Sequence, residues 1–414
     1  MGFKINHVVQ KLKIAFLTSI YPAHAEKIYR KNPSLKNKSS SKQMEFIRWH
    51  ALSSYVRWFE LFEERGFQVC IFNKCLPEIE LAWSRENKYD PKTNNSIIEI
   101  GLEKLKRFKP DIIFTFSPLL YTQSNFLIQL LSILRRKPKL LSWYGANCGN
   151  EEIFRYFDLT LSNSKHLVNS LKEKGIKADF LQHAFDPIIL EKIKIPKKRL
   201  NRVAFFGNLN VSTNDFRERT KLLREISERT NLLDVYGEHT TPSVRETSKH
   251  TILKIRQKIS TTINQVIPNK RFNYWSDKQN LPPSPWELSK NFCKRIKPPL
   301  YGQEMFQRLS CYRIALNDHN KHTGDNACNM RLFEASGLGC CLVTDEKSDL
   351  NDLFEKDSEI LSYKSLKEAI SIINYLIRNE SEAIRIGNNA QKKTITEYNT
   401  SNSIDVLVSL INKL

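Results

Sequence analysis

The sequence predicts an α/β protein built from two doubly wound parallel sheets. Three observations lead to this fold class. At 414 residues the chain is too long for one ordinary hydrophobic core. Short apolar runs alternate with amphipathic stretches in the first half, a pattern typical of a parallel sheet covered by helices. The alternation begins again after residue 200, so we expect a second sheet of the same kind.

The N-terminal domain, placed at residues 1–190, opens with the apolar strand Lys13–Ser19. Residues 30–42, rich in Lys, Ser and Asn, are expected to form a loop. A long amphipathic helix is predicted over about Lys42–Arg65, and Gly66 suits the left-handed position that follows a helix. Further strands are predicted at 67–72, 111–116, 139–144, 158–162 and 178–181, with helices at 101–109 and 165–174.

The domain boundary is predicted near residues 182–200, where apolar periodicity is lost. The C-terminal domain is placed at 191–400 and begins with the strand at 202–206. Residues 238–299 form a polar insertion with several prolines. The final segment, 401–414, is expected to pack back on the N-terminal domain. Within the second domain, helices are predicted at 215–230, 366–378 and 381–398, and a strand at 232–236.

The segment Leu316–Asp345 is the most informative part of the chain. It has the pattern of a strand end, a polar loop, a helix and a second apolar strand. The helix is predicted to start at Asp325 or Asn326, both good N-cap residues, and its positive end would suit a phosphate. Arg331 and Glu334 are three residues apart and therefore lie on one side of that helix. Such a pair suits a nucleotide, with Arg on the diphosphate and Glu on the ribose hydroxyls.

These residues carry a resemblance to a known family. The run Asn-Met-Arg-Leu-Phe-Glu-Ala-Ser-Gly-Leu-Gly at 329–339 resembles the Glu-Ala-x-x-x-Gly segment of nucleotide-sugar-dependent glycosyltransferases with two Rossmann-like domains, the GT-B fold. More narrowly, it resembles the CgeB-like branch of the group 1 glycosyltransferases. The match continues at 203–209, 301–310, 342–345, 349–354 and 359–363, and through the helices that follow to Tyr398. The resemblance implies two domains that face each other across a cleft, with the acceptor on the N-terminal one and the nucleotide sugar mainly on the other.

The implied activity is transfer of a sugar from a nucleotide-diphosphate sugar to a glycan or lipid-linked acceptor, with retention at the anomeric carbon. Domain closure would exclude water from the cleft. No cofactor is expected, because the nucleotide sugar is a co-substrate, and the absence of an Asp-x-Asp cluster predicts metal independence. Glu334 matches the second Glu of the family's Glu-x7-Glu motif. Asn326 stands where the first Glu is expected, which leaves a carboxylate's contribution there open.

Catalytic roles are assigned to Glu334, Arg331 and Lys321, of which Lys321 would neutralise the leaving diphosphate. Simpler interpretations remain open: an exposed Arg331–Glu334 ion pair of little energetic value, an ordinary strand end at Gly207, and solvated loop side chains at His319 and His322. The predicted donor site comprises Gly207, Asn208, Asp318, His319, Thr323, Gly324, Asp325, Asn326, Asn329, Arg331 and Glu334.

An acceptor site is predicted at the carboxyl ends of the N-terminal strands, since such ends line the crevice of a doubly wound sheet. The candidates are Ser19, Tyr21, Trp143, Tyr144 and His183. The aromatic pair could stack on a sugar or pack in the core. His183 could reach the reaction centre or serve the interdomain structure.

The chain carries 65 basic against 44 acidic residues, a net charge of +21. A basic surface can be merely solvated, or it can bind nucleic acid, an anionic membrane or phosphorylated substrates. No nucleic-acid-binding pattern accompanies the charge, so we expect no nucleic-acid partner. The resemblance favours peripheral contact with an anionic membrane, because such enzymes commonly act on lipid-linked acceptors.

Eight cysteines without a Cys-x-x-Cys pair indicate reduced thiols rather than disulfides or a zinc site. No secretory signal is evident, so we expect a cytoplasmic protein at the inner membrane surface. Two alternatives stay open: a nucleotide-sugar epimerase or a non-catalytic relative that binds the donor, and, more distantly, a basic nucleic-acid-binding protein.

Overall fold

The computed structural model describes residues 12–51, 57–93, 95–145, 149–209, 217–238, 244–266, 290–319 and 324–414. Over these ranges the chain forms two six-stranded sheets in which the paired strands are parallel. Each sheet has a buried apolar cluster on either side, as expected when helices cover both faces. The predicted fold class is therefore confirmed.

The first sheet has the strand order β2-β1-β3-β4-β5-β6. Successive residues of the strand at residues 13–18 point to opposite faces, because side chains alternate along a strand. Ile14 and Phe16 join one cluster with Trp58, whereas Ala15 and Leu17 join the other. The strands are β1 Lys13–Thr18, β2 Gln68–Asn73, β3 Ile112–Thr115, β4 Lys139–Trp143, β5 Leu159–Ser162 and β6 Ala178–Phe180.

The helices of the first half cover both faces of this sheet and the connections between its strands. They are α1 Pro22–Lys31, α2 Ser40–Ala51, α3 Trp58–Glu64, α4 Pro77–Glu86, α5 Ser96–Phe108, α6 Pro118–Gln123, α7 Phe126–Ile133 and α8 Lys165–Glu173, with 3-10 turns at Pro33–Asn37 and Glu151–Tyr156.

The second sheet has the order β12-β11-β10-β7-β8-β9. Its strands are β7 Leu200–Phe206, β8 Leu233–Tyr236, β9 Ile296–Lys297, β10 Tyr312–Leu316, β11 Cys341–Asp345 and β12 Leu361–Tyr363. The helices of this half are α9 Ile188–Lys192, α10 Arg217–Thr230, α11 Val244–Val266, α12 Lys290–Cys293, α13 Gly302–Leu309, α14 Arg331–Gly337, α15 Leu350–Leu353, α16 Leu366–Arg378, α17 Glu380–Thr396 and α18 Thr400–Ile411.

Two sequence predictions, a loop at 30–42 and an insertion at 238–299, differ from the structure. Residues 30–42 are not a loop: α1 extends to Lys31, and a 3-10 turn that starts at Pro33 buries Leu35. The prediction followed polar composition and missed that proline favours the first position of a helical turn. Residues 238–299 are not wholly an insertion, because β9 is the sixth strand of the second sheet.

The chain passes between the two domains twice, and the two passages pair with each other. Phe185 and Asn399 form a parallel bridge, in which the Phe185 N–H donates to the Tyr398 carbonyl at 2.8 Å and the Thr400 N–H donates to the Phe185 carbonyl at 3.1 Å. After the second passage, α18 places Ile404, Leu407 and Ile411 in the N-terminal core.

Candidate functional site

The carboxyl edge of the second sheet collects polar residues from several strands, since parallel strands end at one edge. Gly207 follows β7, Asp318 follows β10, and Asp345 ends β11. The ends of β7 and β8 approach closely there, because a Cβ on Gly237 would lie 2.2 Å from the Gly207 carbonyl oxygen. This edge, which we call the C-edge, contains most of the described donor-site candidates.

Arg331 and Glu334 form a largely buried ion pair at the C-edge. Their charged atoms are 2.7 Å apart, and the side chains are 15% and 10% exposed. The Arg331 guanidinium lies 5.6 Å from the Phe206 ring centroid and donates to the Phe206 carbonyl at 3.4 Å and to the Met305 sulfur at 2.9 Å. The Arg331 Nε is buried without a hydrogen-bond partner. The simpler interpretation of an exposed surface pair is therefore wrong.

The helix that carries this pair starts later than predicted. It begins at Arg331, not at Asp325 or Asn326, and residues 324–330 form turns. The Asp349 carboxylate holds these turns by accepting from the Ala327 N–H at 2.6 Å and from the Asn326 amide at 3.2 Å. Asp349, a carboxylate from a distant part of the chain, thus binds the Ala327 N–H and the Asn326 side chain where the sequence predicts the start of a helix.

Asn329 connects the new helix to β10. Its side-chain oxygen accepts from the Arg331 N–H at 3.2 Å, and its amide donates to the Asn317 side chain at 2.8 Å. The Asn317 amide in turn donates to the Thr344 hydroxyl at 2.9 Å. A chain of buried polar contacts thus fixes the position of α14 relative to the strand ends.

His319 and Asp345 form a buried pair beside this chain. The His319 Nδ1 lies 2.7 Å from an Asp345 carboxylate oxygen, which also accepts the His319 backbone N–H at 2.9 Å. The His319 side chain is 0% exposed, and its Nε2 has no hydrogen-bond partner. Burial acts to raise the pKa of Asp345, but the bonds from His319 and the charge of Lys347 lower it overall.

Asp318 lies next to this pair in a different electrostatic setting. Burial, followed by the nearby Asp345 charge, raises the pKa of Asp318 to about 6. The Arg219 guanidinium 3.5 Å away and the Tyr363 hydroxyl, which donates to Asp318 at 3.1 Å, act in the opposite direction. The C-edge therefore contains two neighbouring carboxyls, of which Asp318 has a raised pKa and Asp345 a lowered pKa.

The turns at 324–330 contact the N-terminal domain. The Asn326 side-chain oxygen accepts from the Ser164 hydroxyl at 3.3 Å and from the His166 N–H at 3.2 Å. The Asn163 amide donates to the Cys328 carbonyl at 2.6 Å. Both ends of the Asn326 amide are thus engaged with protein groups. The C-edge borders the interface between the two domains.

The other donor-site candidates are placed less centrally. Gly324 has a positive φ of 58°, and Asp325 and Asn208 are exposed. The Gly324 carbonyl accepts from Lys347 at 2.9 Å, and the Asp325 carbonyl accepts from the Ser348 hydroxyl at 2.9 Å. The predictions for Lys321, His322 and Thr323 lie outside the described residues.

The predicted acceptor residues separate into buried and exposed groups. Trp143 and His183 are buried with ring centroids 4.9 Å apart, and burial lowers the pKa of His183 to about 3. Tyr144 packs on Phe154, with centroids 5.6 Å apart. The pair Trp143–His183 thus serves core packing at the strand ends. By contrast, the exposed Ser19 lies 2.6 Å from the Ser117 hydroxyl, and Tyr21 is 74% exposed.

A pocket of about 230 Å³ lies between α1, α2 and α13, and no specific sequence pattern indicates it. Glu304 lies 2.6 Å from Lys27 and 2.5 Å from Lys31 across the domain interface. His24 stacks on Tyr301 with centroids 5.1 Å apart, and burial, together with the charge of Lys27, lowers the pKa of His24 to about 4. The one indication of this pocket in the sequence was that the residues of α1 directly follow β1, at the carboxyl edge of the first sheet.

The sequence analysis did not identify six residues that line these sites: Asn163, Ser164, Arg219, Glu304, Tyr363 and Asp349. Asn163 and Ser164 follow a predicted strand, so their place at a strand end was a usable signal.

Among the described residues, no group of three or more His, Cys, Asp or Glu side chains is arranged to hold a metal ion. No described helix has the length and apolar character needed to cross a bilayer.

Residues 255–409 match the model of a family described as glycosyl transferase-like. No curated protein sequence matches the chain. Among solved structures, sucrose-phosphate synthase from Thermosynechococcus elongatus is similar at 9% identity, with 97% of this chain and 99% of that chain covered and a TM-score of 0.53.

Two further similar structures were solved with nucleotides. HepE from Anabaena, in complex with UDP-glucose, shares 11% identity over 97% of this chain and 100% of that chain, with a TM-score of 0.53. An α-glucosyltransferase in complex with UDP and a 13-mer DNA shares 12% identity over 97% and 100% of the two chains, with a TM-score of 0.55. The shared two-sheet architecture shows that the chain has the GT-B fold of these structures, and residues 255–409 carry the match to the glycosyl transferase-like family.

Proposed function

We propose that the C-edge binds a nucleotide-diphosphate sugar and that the sugar is transferred to an acceptor held by the N-terminal domain. The observation that carries this proposal is the buried Arg331–Glu334 pair beside the His319–Asp345 pair, bordering the domain interface. Similar structures in complex with UDP-glucose or UDP support a nucleotide-sugar donor. The sequence resemblance supports a place in the CgeB-like branch.

The roles of the donor-site residues follow from their chemistry. Arg331 would bind the diphosphate through N–H groups that Glu334 does not occupy, and Glu334 would accept from the ribose hydroxyls. A buried polar atom without a partner costs about 1–3 kcal/mol. Ligand oxygens that reach Arg331 Nε and His319 Nε2 would remove that cost. Donor binding would therefore stabilise the fold as well as position the sugar.

In the proposed reaction, the bond between the anomeric carbon and the diphosphate oxygen breaks, and the acceptor oxygen forms the new bond to that carbon. Retention requires the acceptor to approach from the face that the diphosphate leaves, so a departing phosphate oxygen can take the acceptor proton. Arg331, with Lys321 as predicted from the sequence, would stabilise the leaving charge without a metal ion. Closure of the domains would exclude water.

A nucleotide panel followed by a transfer assay tests this function. We expect UDP, GDP or dTDP to raise the melting temperature selectively, and the matching sugar nucleotide to lose its sugar to an acceptor or slowly to water. EDTA should leave the rate unchanged. Isomerisation of the sugar without release of nucleotide would indicate an epimerase, and binding without turnover would indicate a non-catalytic relative. Salt-sensitive RNA binding with no response to nucleotides would contradict the proposal.

We also propose a cytoplasmic location with peripheral contact to the inner membrane surface, where a lipid-linked acceptor would be available. The net charge of +21 supports contact with anionic lipid. Fractionation of cells that express the full chain tests this location. Release from the membrane fraction by high salt is the expected behaviour, and complete recovery in the soluble fraction at low salt would contradict it.

A further inference from the structure

The helix α11, Val244–Val266, exposes a row of isoleucines along one side. Ile252, Ile255 and Ile259 are 64%, 54% and 54% exposed. Positions three and four apart lie on one face of a helix, so the three side chains form a continuous apolar stripe. Isoleucine is also a weaker helix former than the residues usual at exposed positions. We call Ile252, Ile255 and Ile259 the isoleucine stripe.

The other side of α11 is turned toward the protein. Ser260 is only 4% exposed, and Leu253 and Gln257 are half-buried. These three residues are also spaced four and three apart, and they lie on a different face from the isoleucine stripe. The stripe is therefore not the face by which the helix packs.

The charge around the stripe has one sign. Residues 247–266 contain no Asp or Glu, and Lys249, Lys254, Arg256 and Lys258 are exposed. Lys249 and Lys258 lie on either side of the stripe, each at about 90° from its centre on a regular helix of 3.6 residues per turn. An apolar row between basic side chains is the pattern of a helix that lies in the interface of an anionic membrane.

We propose that α11 docks the enzyme on an anionic lipid surface, with the isoleucine stripe in the boundary between headgroups and acyl chains and the lysines on lipid phosphates. Charge favours lipid over a second copy of the chain, because two such helices would bring like charges together. Each exposed Lys or Arg close to an anionic surface adds to the attraction. The inference gives a structural basis to the proposed membrane location and does not depend on the donor site.

Co-sedimentation of the full chain with vesicles tests the proposal. We expect binding to vesicles that contain phosphatidylglycerol, little binding to pure phosphatidylcholine vesicles, and weaker binding as salt increases. Replacement of the stripe by serine (Ile252→Ser, Ile255→Ser and Ile259→Ser together) should weaken binding at least about tenfold, because three apolar side chains would no longer be removed from water.

The matched control is Ile128→Ser with Ile384→Ser, two isoleucines on other helices that are 54% and 45% exposed. This variant should bind vesicles like the unmodified chain. Circular dichroism and the nucleotide-induced rise in melting temperature should be the same in all variants, which separates loss of docking from loss of folding or donor binding. Equal vesicle binding by the stripe variant and the control would overturn the proposal. So would self-association that depends on the stripe in the absence of lipid binding.

Discussion

At the scale of single residues, the C-edge is a set of coupled charges rather than a row of independent ligands. Glu334 pairs with Arg331, and the Arg331 guanidinium contacts Phe206 and Met305. Removal of one member of a buried pair leaves the other charge uncompensated, which costs more than the pair itself contributes. Stability and donor binding should therefore respond together to substitutions here.

We predict that Glu334→Gln lowers the free energy of unfolding by about 1–3 kcal/mol, because the Arg331 charge loses its partner. The double variant Glu334→Gln/Arg331→Met should recover part of that loss, because no unpaired charge remains. Urea unfolding of the single and double variants measures the coupling. Losses that simply add would show that the two side chains do not interact energetically.

Asp318 should give the protein a characteristic pH dependence. Its pKa is raised from the ordinary value of 3.8 to about 6 in the folded state. The folded state then holds the proton more tightly, so the contribution of Asp318 to stability is fully present below about 3.8 and is lost as the pH rises through about 6. We predict that the unmodified chain loses stability relative to Asp318→Asn between pH 4 and 6.

Urea unfolding across that pH range measures the difference between the two proteins. The matched control is Asp325→Asn, which removes an exposed carboxylate close by in the sequence. The difference in free energy of unfolding between Asp325→Asn and the unmodified chain should not change over the same pH range. A flat difference for Asp318→Asn as well would mean that this carboxyl is not shifted in the folded protein.

At the scale of elements, the order and type of most strands and helices could be predicted, because apolar periodicity reports burial directly. The start of α14 could not, since it depends on Asp349, a residue more than twenty positions from Asn326 in the chain. Likewise, the charged side chains of Glu80, Glu304 and Arg219 form ion pairs with residues from other segments of the chain. A single sequence contains the residue types but not the contacts between distant segments.

The glycine of the Glu-Ala-Ser-Gly run shows why one element needs a particular residue. A Cβ on Gly337 would lie 2.3 Å from the Phe185 ring, which belongs to the first passage between domains. We predict that Gly337→Ala destabilises the protein by about 1–3 kcal/mol, because a buried ring must move. Thermal unfolding measures it, with Gly149→Ala as control, since a Cβ there meets nothing within 4 Å. Equal melting temperatures would contradict the contact.

At the scale of the whole molecule, polar contacts among the described residues join the two domains around the cleft, in addition to the paired chain passages and α18. Glu304 joins Lys27 and Lys31, and Lys165 joins Asp352 at 2.5 Å on the side of the C-edge. Exposed ion pairs of this kind contribute about 0–1 kcal/mol each and weaken with salt. Such contacts can break and form during a catalytic cycle, which suits enzymes whose domains close on substrate.

We predict that Glu304→Gln shifts the molecule toward a more open arrangement, because the two lysines lose their shared carboxylate and repel each other. Energy transfer between dyes placed on the two domains should fall at low salt and approach the unmodified value at high salt. Glu382→Gln, which breaks an exposed pair with Arg385 inside one domain, is the control. Unchanged energy transfer at low salt would show that Glu304 does not affect domain closure.

The position of α18 has a consequence for biosynthesis. Ile404, Leu407 and Ile411 complete an apolar cluster whose other members come from residues before position 182. While a ribosome is still translating the middle of the chain, the first lobe already has all its strands but an open groove where those three side chains belong. Nascent protein should therefore need shielding by chaperones until α18 emerges and covers this groove.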